Sequence, residues 1–253
     1  MSGFSETTRD DFLGGRVTVE QPAKGYRAGV DPVLLAGAVP ARQGQSVLEL
    51  GCGVGVASLC LAHRVKGLRL FGIERQAGYA DLARINAQRN GADLTVVTGD
   101  LAQMPAELRE IGFDHVIANP PYFQRDRSTS ADDPGREMAM GEDTPLEVWV
   151  KAASKRLAPK GFATFIHRAE RLPDLLSALA PRLGSIEVQP LTPRTGRDAR
   201  LVLLRARKGG KAAFRLRDFL IMHRGGRHER DEDDYTQTLS DCLKHGKALP
   251  FAD

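Results

Sequence analysis

Cysteine is scarce: Cys52, Cys60 and Cys242 are the only three in 253 residues, and none stands in a C-x-x-C spacing. That excludes a disulfide framework and any cysteine-based metal centre. The three read as reduced thiols of a cytosolic protein, with Cys52 and Cys60 as small packing residues. No apolar run approaches the roughly 20 residues that cross a bilayer, and the opening stretch, 1–11, is polar and acidic rather than a signal peptide. The expectation is a cytoplasmic protein with no membrane contact and no metal. Neither charge sign dominates: 36 Lys and Arg face 32 Asp and Glu, for a net +4. This balance permits a polyanionic partner without requiring one. Internal repeats and low-complexity segments are also missing. A hydrophobic share of 42% and a charged share of 27% describe an ordinary globular chain, long enough to bury a full core.

What is present begins with a strand, a glycine loop and a helix. Ser46-Val47-Leu48-Glu49-Leu50 reads as a short buried strand, Gly51-Cys52-Gly53-Val54-Gly55 as the loop, and 56–64 as the helix. This is the nucleotide-binding opening of a doubly wound α/β sheet. A dinucleotide fingerprint would place Gly or Ala at Val56, whereas the third glycine comes one residue early, at Gly55. A phosphate-cradling G-x-x-x-x-G-K-S/T is absent. A carboxylate at Glu49 is awkward beside a pyrophosphate and useful beside a cation. S-adenosylmethionine, with its ammonium and sulfonium, is favoured over NAD.

Two more acids end the next two strands. Leu68 to Ile73 leads into Glu74, placed to accept ribose hydroxyls, and Leu94 to Thr98 leads to Asp100, which could accept from an adenine amine. Each alone could be a strand-end cap. Glu49, Glu74 and Asp100 together gather where open α/β sheets bind ligands, outside the strand C-termini.

The fourth strand, Phe113 to Ala118, delivers Asn119-Pro120-Pro121-Tyr122. Each proline biases the residue before it away from the helical region, so the turn is extended and stiff. Neither proline has an N–H. The expected product is a claw with two acceptors, the Asn119 side-chain oxygen and the Pro120 carbonyl, beside the face of Tyr122. Such a claw suits a planar –NH2 group carried on a ring. A proline-rich turn capped by asparagine is the plainer alternative.

Other segments complete the outline. Phe12-Leu13-Gly14-Gly15 before Val17 and Val19 predicts a small hairpin or edge strand. Asp31 followed by Pro32 predicts an N-cap and a helix running to Ala38 and stopping at Pro40. The polar stretch 123–141 is read as a lid that orders on substrate. Thr144, Pro145 and Glu147 open a helix through Leu157, stopped by Pro159-Lys160-Gly161, and a fifth strand spans 162–167. Ser185 to Gln189 and Ala199 to Arg205 are strands with no crossover helix between them, so they pair as an antiparallel hairpin. The basic tail from Arg205 reads either as a solvated surface or as a phosphate-contacting rim, with an acidic run, 231–234, capping a last helix. The expected architecture is α/β: a doubly wound, mostly parallel seven-stranded sheet with a C-terminal antiparallel hairpin. Residues 1–40 form an N-terminal extension and 41–253 one globular unit.

These residues resemble the class I S-adenosylmethionine-dependent methyltransferases of the N-P-P-Y type. The broad likeness rests on Glu49-x-Gly51-x-Gly53-x-Gly55, Glu74, Asp100 and Asn119 to Tyr122. A narrower one, to bacterial enzymes that methylate adenine N6 beside the anticodon of valine tRNA, rests on Phe12 to Gly15, on Gly25-Tyr26-Arg27-Ala28-Gly29-Val30-Asp31, and on Arg205-Ala206-Arg207-Lys208-Gly209. The resemblance implies S-adenosylmethionine held by Arg27, Asp31, Glu49, Gly51, Cys52, Gly53, Glu74, Arg75, Asp100, Leu101 and Asn119. It implies catalysis by Asn119, Pro120 and Tyr122. A tRNA substrate would meet Pro121, Tyr122, Phe123, Arg125, Arg127, Lys208, His223, Arg224 and Arg227. Glu49 departs from the commoner Asp, and the stretch 227–234 is unusually charged for the group. A glutamine amide in a protein, a guanine amine in rRNA and RNA binding without turnover stay open, as does a homodimer. A nicotinamide oxidoreductase is disfavoured by Val56 and the hairpin.

Overall fold

A tight turn at Leu13-Gly14-Gly15 joins the first two strands, β1 (Thr7–Phe12) and β2 (Val17–Pro22), in register from Phe12 opposite Val17 to Thr7 opposite Pro22. The computed structural model describes residues 4–122, 144–225 and 234–252. Val17 and Val19 point into the core, and the next helix α1 (Asp31–Ala38) buries Pro32 to Ala38 completely. Leu34 and Leu35 are fully covered, each worth on the order of 2 kcal/mol. The expected cap differs in detail. Val30 is the N-cap residue, no side chain caps the helix, and Asp31 is already its first member.

The main sheet starts with β3 (Ser46–Leu50), buried at every position. It continues through β4 (Arg69–Glu74), β5 (Leu94–Thr98), β6 (Phe113–Ala118), β7 (Leu157–Arg168), β8 (Gly184–Thr192) and β9 (Leu201–Arg207). Helices α2 (Val56–Arg64) and α3 (Ala77–Arg89) follow β3 and β4. A short α4 (Ala106–Arg109) precedes β6, α5 (Leu146–Arg156) precedes β7, and α6 (Leu172–Leu179) follows it. The sheet order is β8-β9-β7-β6-β3-β4-β5, with β9 antiparallel to both neighbours and the other pairings of this set parallel. The hairpin is therefore present, and β3 lies between β4 and β6 at the point where the strand order reverses. Leu50 sits opposite Ala118, so the glycine loop and the N-P-P-Y turn leave the sheet side by side.

Three features depart from the outline. Two-residue strands β10 (Arg215–Leu216) and β11 (Leu220–Ile221) add parallel to β8, widening the sheet to nine strands. Strand β7 begins at Leu157 rather than 162. A step of two residues on β6, Phe113 to His115, faces a step of five on β7, Leu157 to Phe162, so Pro159-Lys160-Gly161 is absorbed as a bulge with Lys160 at φ +68°. Asp234, at the end of the acidic run, pairs with His223 and Arg194. The last helix, α7 (Gln237–His245), starts after Thr236 with no side-chain cap.

The hairpin's free edge is closed by a helix. On α3, Asn86 and Asn90 lie one turn apart. Their amides bond the backbone of Glu20 (2.7 and 3.0 Å) and of Thr18 (3.1 and 2.8 Å). Two asparagines thus do for β2 what a neighbouring strand would do, leaving no template for edge pairing there. No described helix is long and apolar enough to cross a membrane.

Candidate active site

The C-terminal ends of β3, β4, β5 and β6 open into a cavity of about 630 Å³. Its floor is the loop after β3. Gly51, Gly53 and Gly55 all hold positive φ (+61°, +53° and +91°), which lets the chain reverse and start α2 within a few residues. The loop is tied by its backbone: Cys52 N–H donates to the Ile73 carbonyl at 3.0 Å and Gly55 N–H to the Cys52 carbonyl at 2.8 Å. Gly53 N–H donates to the Glu74 carboxylate at 3.0 Å, while the other Glu74 oxygen accepts from Gln76 N–H at 2.9 Å.

The three strand-end acids, Glu49, Glu74 and Asp100, all line this one cavity. Glu49 is 4% exposed and accepts from the backbone and hydroxyl of Ser58 in the first turn of α2. Burial, opposed by those two bonds, pushes its carboxyl up to about 7. Burial also raises Glu74, against its backbone hydrogen bonds. Asp100 accepts from Ala102 N–H at 2.8 Å, holding the short turn 101–103 against the cavity. A pocket lined by three acids favours a ligand that carries positive charge and hydroxyl or amine donors.

Opposite the loop stand Asn119, Pro120, Pro121 and Tyr122, all cavity walls. The Asn119 side-chain oxygen is buried and has no hydrogen-bond partner among the described residues. A buried, unsatisfied carbonyl costs about 1–3 kcal/mol, so its persistence next to an empty volume marks a place meant for a donor.

Several expected residues fall at this cavity and some do not. Cys52, Arg75 and Leu101 line it. Arg27 does too, but its guanidinium is held by the hairpin, bonding Thr8, the Pro22 carbonyl (2.8 Å) and Asp10. Asp31 is not a wall. Its carboxylate accepts the Tyr122 hydroxyl instead. Lys208 lies away from the cavity. Because β9 runs antiparallel, Lys208 lies at the opposite end of the sheet, its ammonium bonded to the Leu157 carbonyl at 2.6 Å. His223 and Arg224 follow β11, which flanks β8, and lie outside the cavity. The histidine stacks on Tyr235 at 4.7 Å and bonds Asp234, and the arginine bonds the Tyr235 carbonyl at 2.8 Å. Phe123, Arg125, Arg127 and Arg227, like the stretch read as a lid, lie outside the described residues.

The structure adds walls that the residue pattern did not single out. Trp149, from α5, presses against Gly51 so closely that a β-carbon there would meet the indole at 2.5 Å. Tyr79, from α3, accepts from Tyr26 N–H at 3.0 Å and fixes the Gly25–Tyr26 segment. Arg168, the last residue of β7, holds its guanidinium 5.5 Å from the Tyr122 ring centre. Among the described residues no three His, Cys, Asp or Glu side chains are grouped to hold a metal ion.

Comparison with known proteins now bears on the site. The family model for the methyltransferase small domain matches residues 28–170, which hold every wall of the cavity except Gly25, Tyr26 and Arg27. A tRNA1(Val) (adenine(37)-N6)-methyltransferase of Porphyromonas gingivalis is 32% identical over 230 residues, covering 85% of this chain and 88% of the relative. An enzyme of the same designation from Shewanella baltica is 27% identical, covering 87% and 91%. Among solved structures, a predicted O-methyltransferase from Agrobacterium tumefaciens superposes with a TM-score of 0.71 at 27% identity, over 87% of this chain and 97% of that one.

Proposed function

Since the chain belongs to the methyltransferase small domain family, we propose that it transfers a methyl group from S-adenosylmethionine to the exocyclic N6 amine of an adenine in tRNA, beside the anticodon of valine tRNA. The observation that carries this reading is the buried oxygen of Asn119, unpartnered among the described residues, set next to Tyr122 and across from the glycine loop. The substrate class follows the relatives' designation over most of both chains. Such a role belongs in the cytoplasm.

The donor set fits S-adenosylmethionine. Glu49 and the loop Gly51 to Gly53 would take the amino-acid tail, Glu74 the ribose hydroxyls, and Asp100 with Leu101 the adenine. Arg75 adds a wall near Glu74, and Arg27 shapes the wall beside the hairpin rather than offering its guanidinium. When bound, the cofactor supplies an electrophilic methyl group.

The chain's own residues act on the acceptor. An adenine amine is a poor nucleophile because its lone pair is delocalised into the ring. Asn119 accepts one N–H and the Pro120 carbonyl the other, which favours a pyramidal nitrogen. Both bonds strengthen as positive charge develops there, which is transition-state stabilisation. Tyr122 gives the base a flat wall, and extrusion from a single-stranded loop costs only a few kcal/mol. The proton released after transfer comes from an acidic ammonium and needs no strong base.

The test is nucleoside mass spectrometry after incubation with isotopically labelled cofactor and, separately, tRNA, rRNA and a release-factor protein. The label should appear as N6-methyladenosine from tRNA. Label on guanosine or on a glutamine residue, or on nothing, sinks this reading.

A further inference from the structure

We infer that Asp31 is a positioning residue, which fixes the ring of Tyr122 as the stacking wall for the acceptor base and does not itself touch the cofactor. This rests on the function proposed above. The two residues are 91 positions apart, yet the Tyr122 hydroxyl donates directly to the Asp31 carboxylate. Pro32 and Tyr122 line the cavity, whereas Asp31 is not among its walls and meets the ring at its hydroxyl.

The anchor is rigid because of where Asp31 stands. It opens α1, whose remaining residues are all buried, so the carboxylate is carried by a fixed part of the core. Its own charge is countered: Arg168 and the phenol hydrogen bond oppose the burial that raises its carboxyl. Burial and the neighbouring carboxylate push the phenol of Tyr122 upward, so it remains a donor.

A second element braces the same ring. Arg168 stands over it at 5.5 Å, and the His167 ring lies 5.4 Å away, tilted by 45°. His167 is itself completely buried and pinned, its Nδ1 accepting the Arg168 N–H at 2.8 Å. A side chain at the end of a stiff turn still has two torsions of its own. The hydroxyl bond on one side and the β7 end on another remove them. Stacking walls that shift by an ångström can cost about 100-fold in rate, so this bracing has a kinetic consequence.

The experiment is a double-mutant cycle with Asp31→Ala, Tyr122→Phe and the pair, plus Asp31→Asn, each checked by thermal melting. Each single variant should raise the tRNA KM and lower kcat/KM about 10- to 100-fold. The pair should be no worse than either alone, because both remove one bond. Asp31→Asn keeps an acceptor oxygen and should recover most of what Asp31→Ala loses. Cofactor affinity, measured by calorimetry, should be unchanged throughout. Additive losses, failure of Asp31→Asn to recover activity, or a weakened cofactor in Asp31→Ala would each overturn the inference. If Asp31→Ala does not fold, Tyr122→Phe decides alone, since it must reproduce the tRNA defect. A wild-type protein that methylates no tRNA removes the function and this inference together; an active wild type with additive variants removes the inference alone.

Discussion

The carboxylate of Glu74 and the backbone amide of Gly53 meet at 3.0 Å, so the end of one strand holds the middle of the loop that follows its neighbour. The other Glu74 oxygen is equally engaged by Gln76 N–H. Glutamine has one acceptor where Glu74 has two, so Glu74→Gln turns an NH2 toward one of these amides. Cofactor affinity measured by calorimetry should fall at least tenfold, about 1.4 kcal/mol. Melting should fall by a few degrees. Unchanged affinity would remove Glu74 from the cofactor site.

Two glycines of the same loop should separate folding from binding. Gly51 at φ +61° faces the Trp149 indole, whereas Gly53 at φ +53° has nothing within 4 Å of a built β-carbon. Gly51→Ala should cost about 1–3 kcal/mol of stability from overpacking in addition to backbone strain. Gly53→Ala should cost about 1 kcal/mol from strain alone, yet weaken cofactor binding, because its methyl enters the open cavity. Chemical denaturation and calorimetry on both variants check the contrast. Equal stability losses would contradict it.

Asn119→Ala removes a buried oxygen that has no partner among the described residues. Methyl transfer should fall by about 100-fold or more, in line with loss of one transition-state hydrogen bond. Melting temperature should hold or rise, since the unsatisfied group no longer has to be buried. Cofactor affinity should persist. A large drop in melting temperature would mean that Asn119 is a structural cap.

Glu49 carries the pH prediction. Its carboxyl, raised to about 7 by burial, is held protonated by the folded protein through a range where the unfolded chain has lost its proton. Its contribution to stability is therefore full below about 4.5 and lost as pH rises toward 7. His115 and His167, which burial pushes down to about 4, run the other way, so the difference between wild type and Glu49→Gln isolates the glutamate. A cationic ligand prefers the ionised form. Cofactor affinity should therefore weaken as pH falls below 7 in the wild type and vary less in Glu49→Gln. Parallel pH profiles would show that Glu49 does not face the ligand.

What could be read from the chain was what neighbouring residues determine together. A strand, three glycines and a helix in succession admit few geometries, and acids at Glu49, Glu74 and Asp100 mark three strand ends that topology brings together. The stiffness of Asn119 to Tyr122 is likewise written in two consecutive prolines. What escaped depends on which distant element crosses which. Asp31 looked like a helix cap because its sequence neighbour is proline, and the partner that claims it stands 91 residues later. Trp149 belongs to the site only because α5 crosses the loop at Gly51. Arg168 belongs to it only because β7 ends beside β6. Lys208 came with the resemblance, and the direction of β9, which no neighbouring residue announces, sets its place in the fold. The bulge in β7 hid the first residues of that strand behind a proline and a glycine that ordinarily end one.

The single tryptophan of this chain is one of the cavity walls, its indole N–H directed at the Thr144 carbonyl at 3.3 Å. Indole emission from the unlabelled protein thus originates at one spot, with no second tryptophan to dilute it. Any molecule that settles on the loop alters the polarity around that fluorophore, so occupancy can be followed in real time, in stopped flow and without a dye.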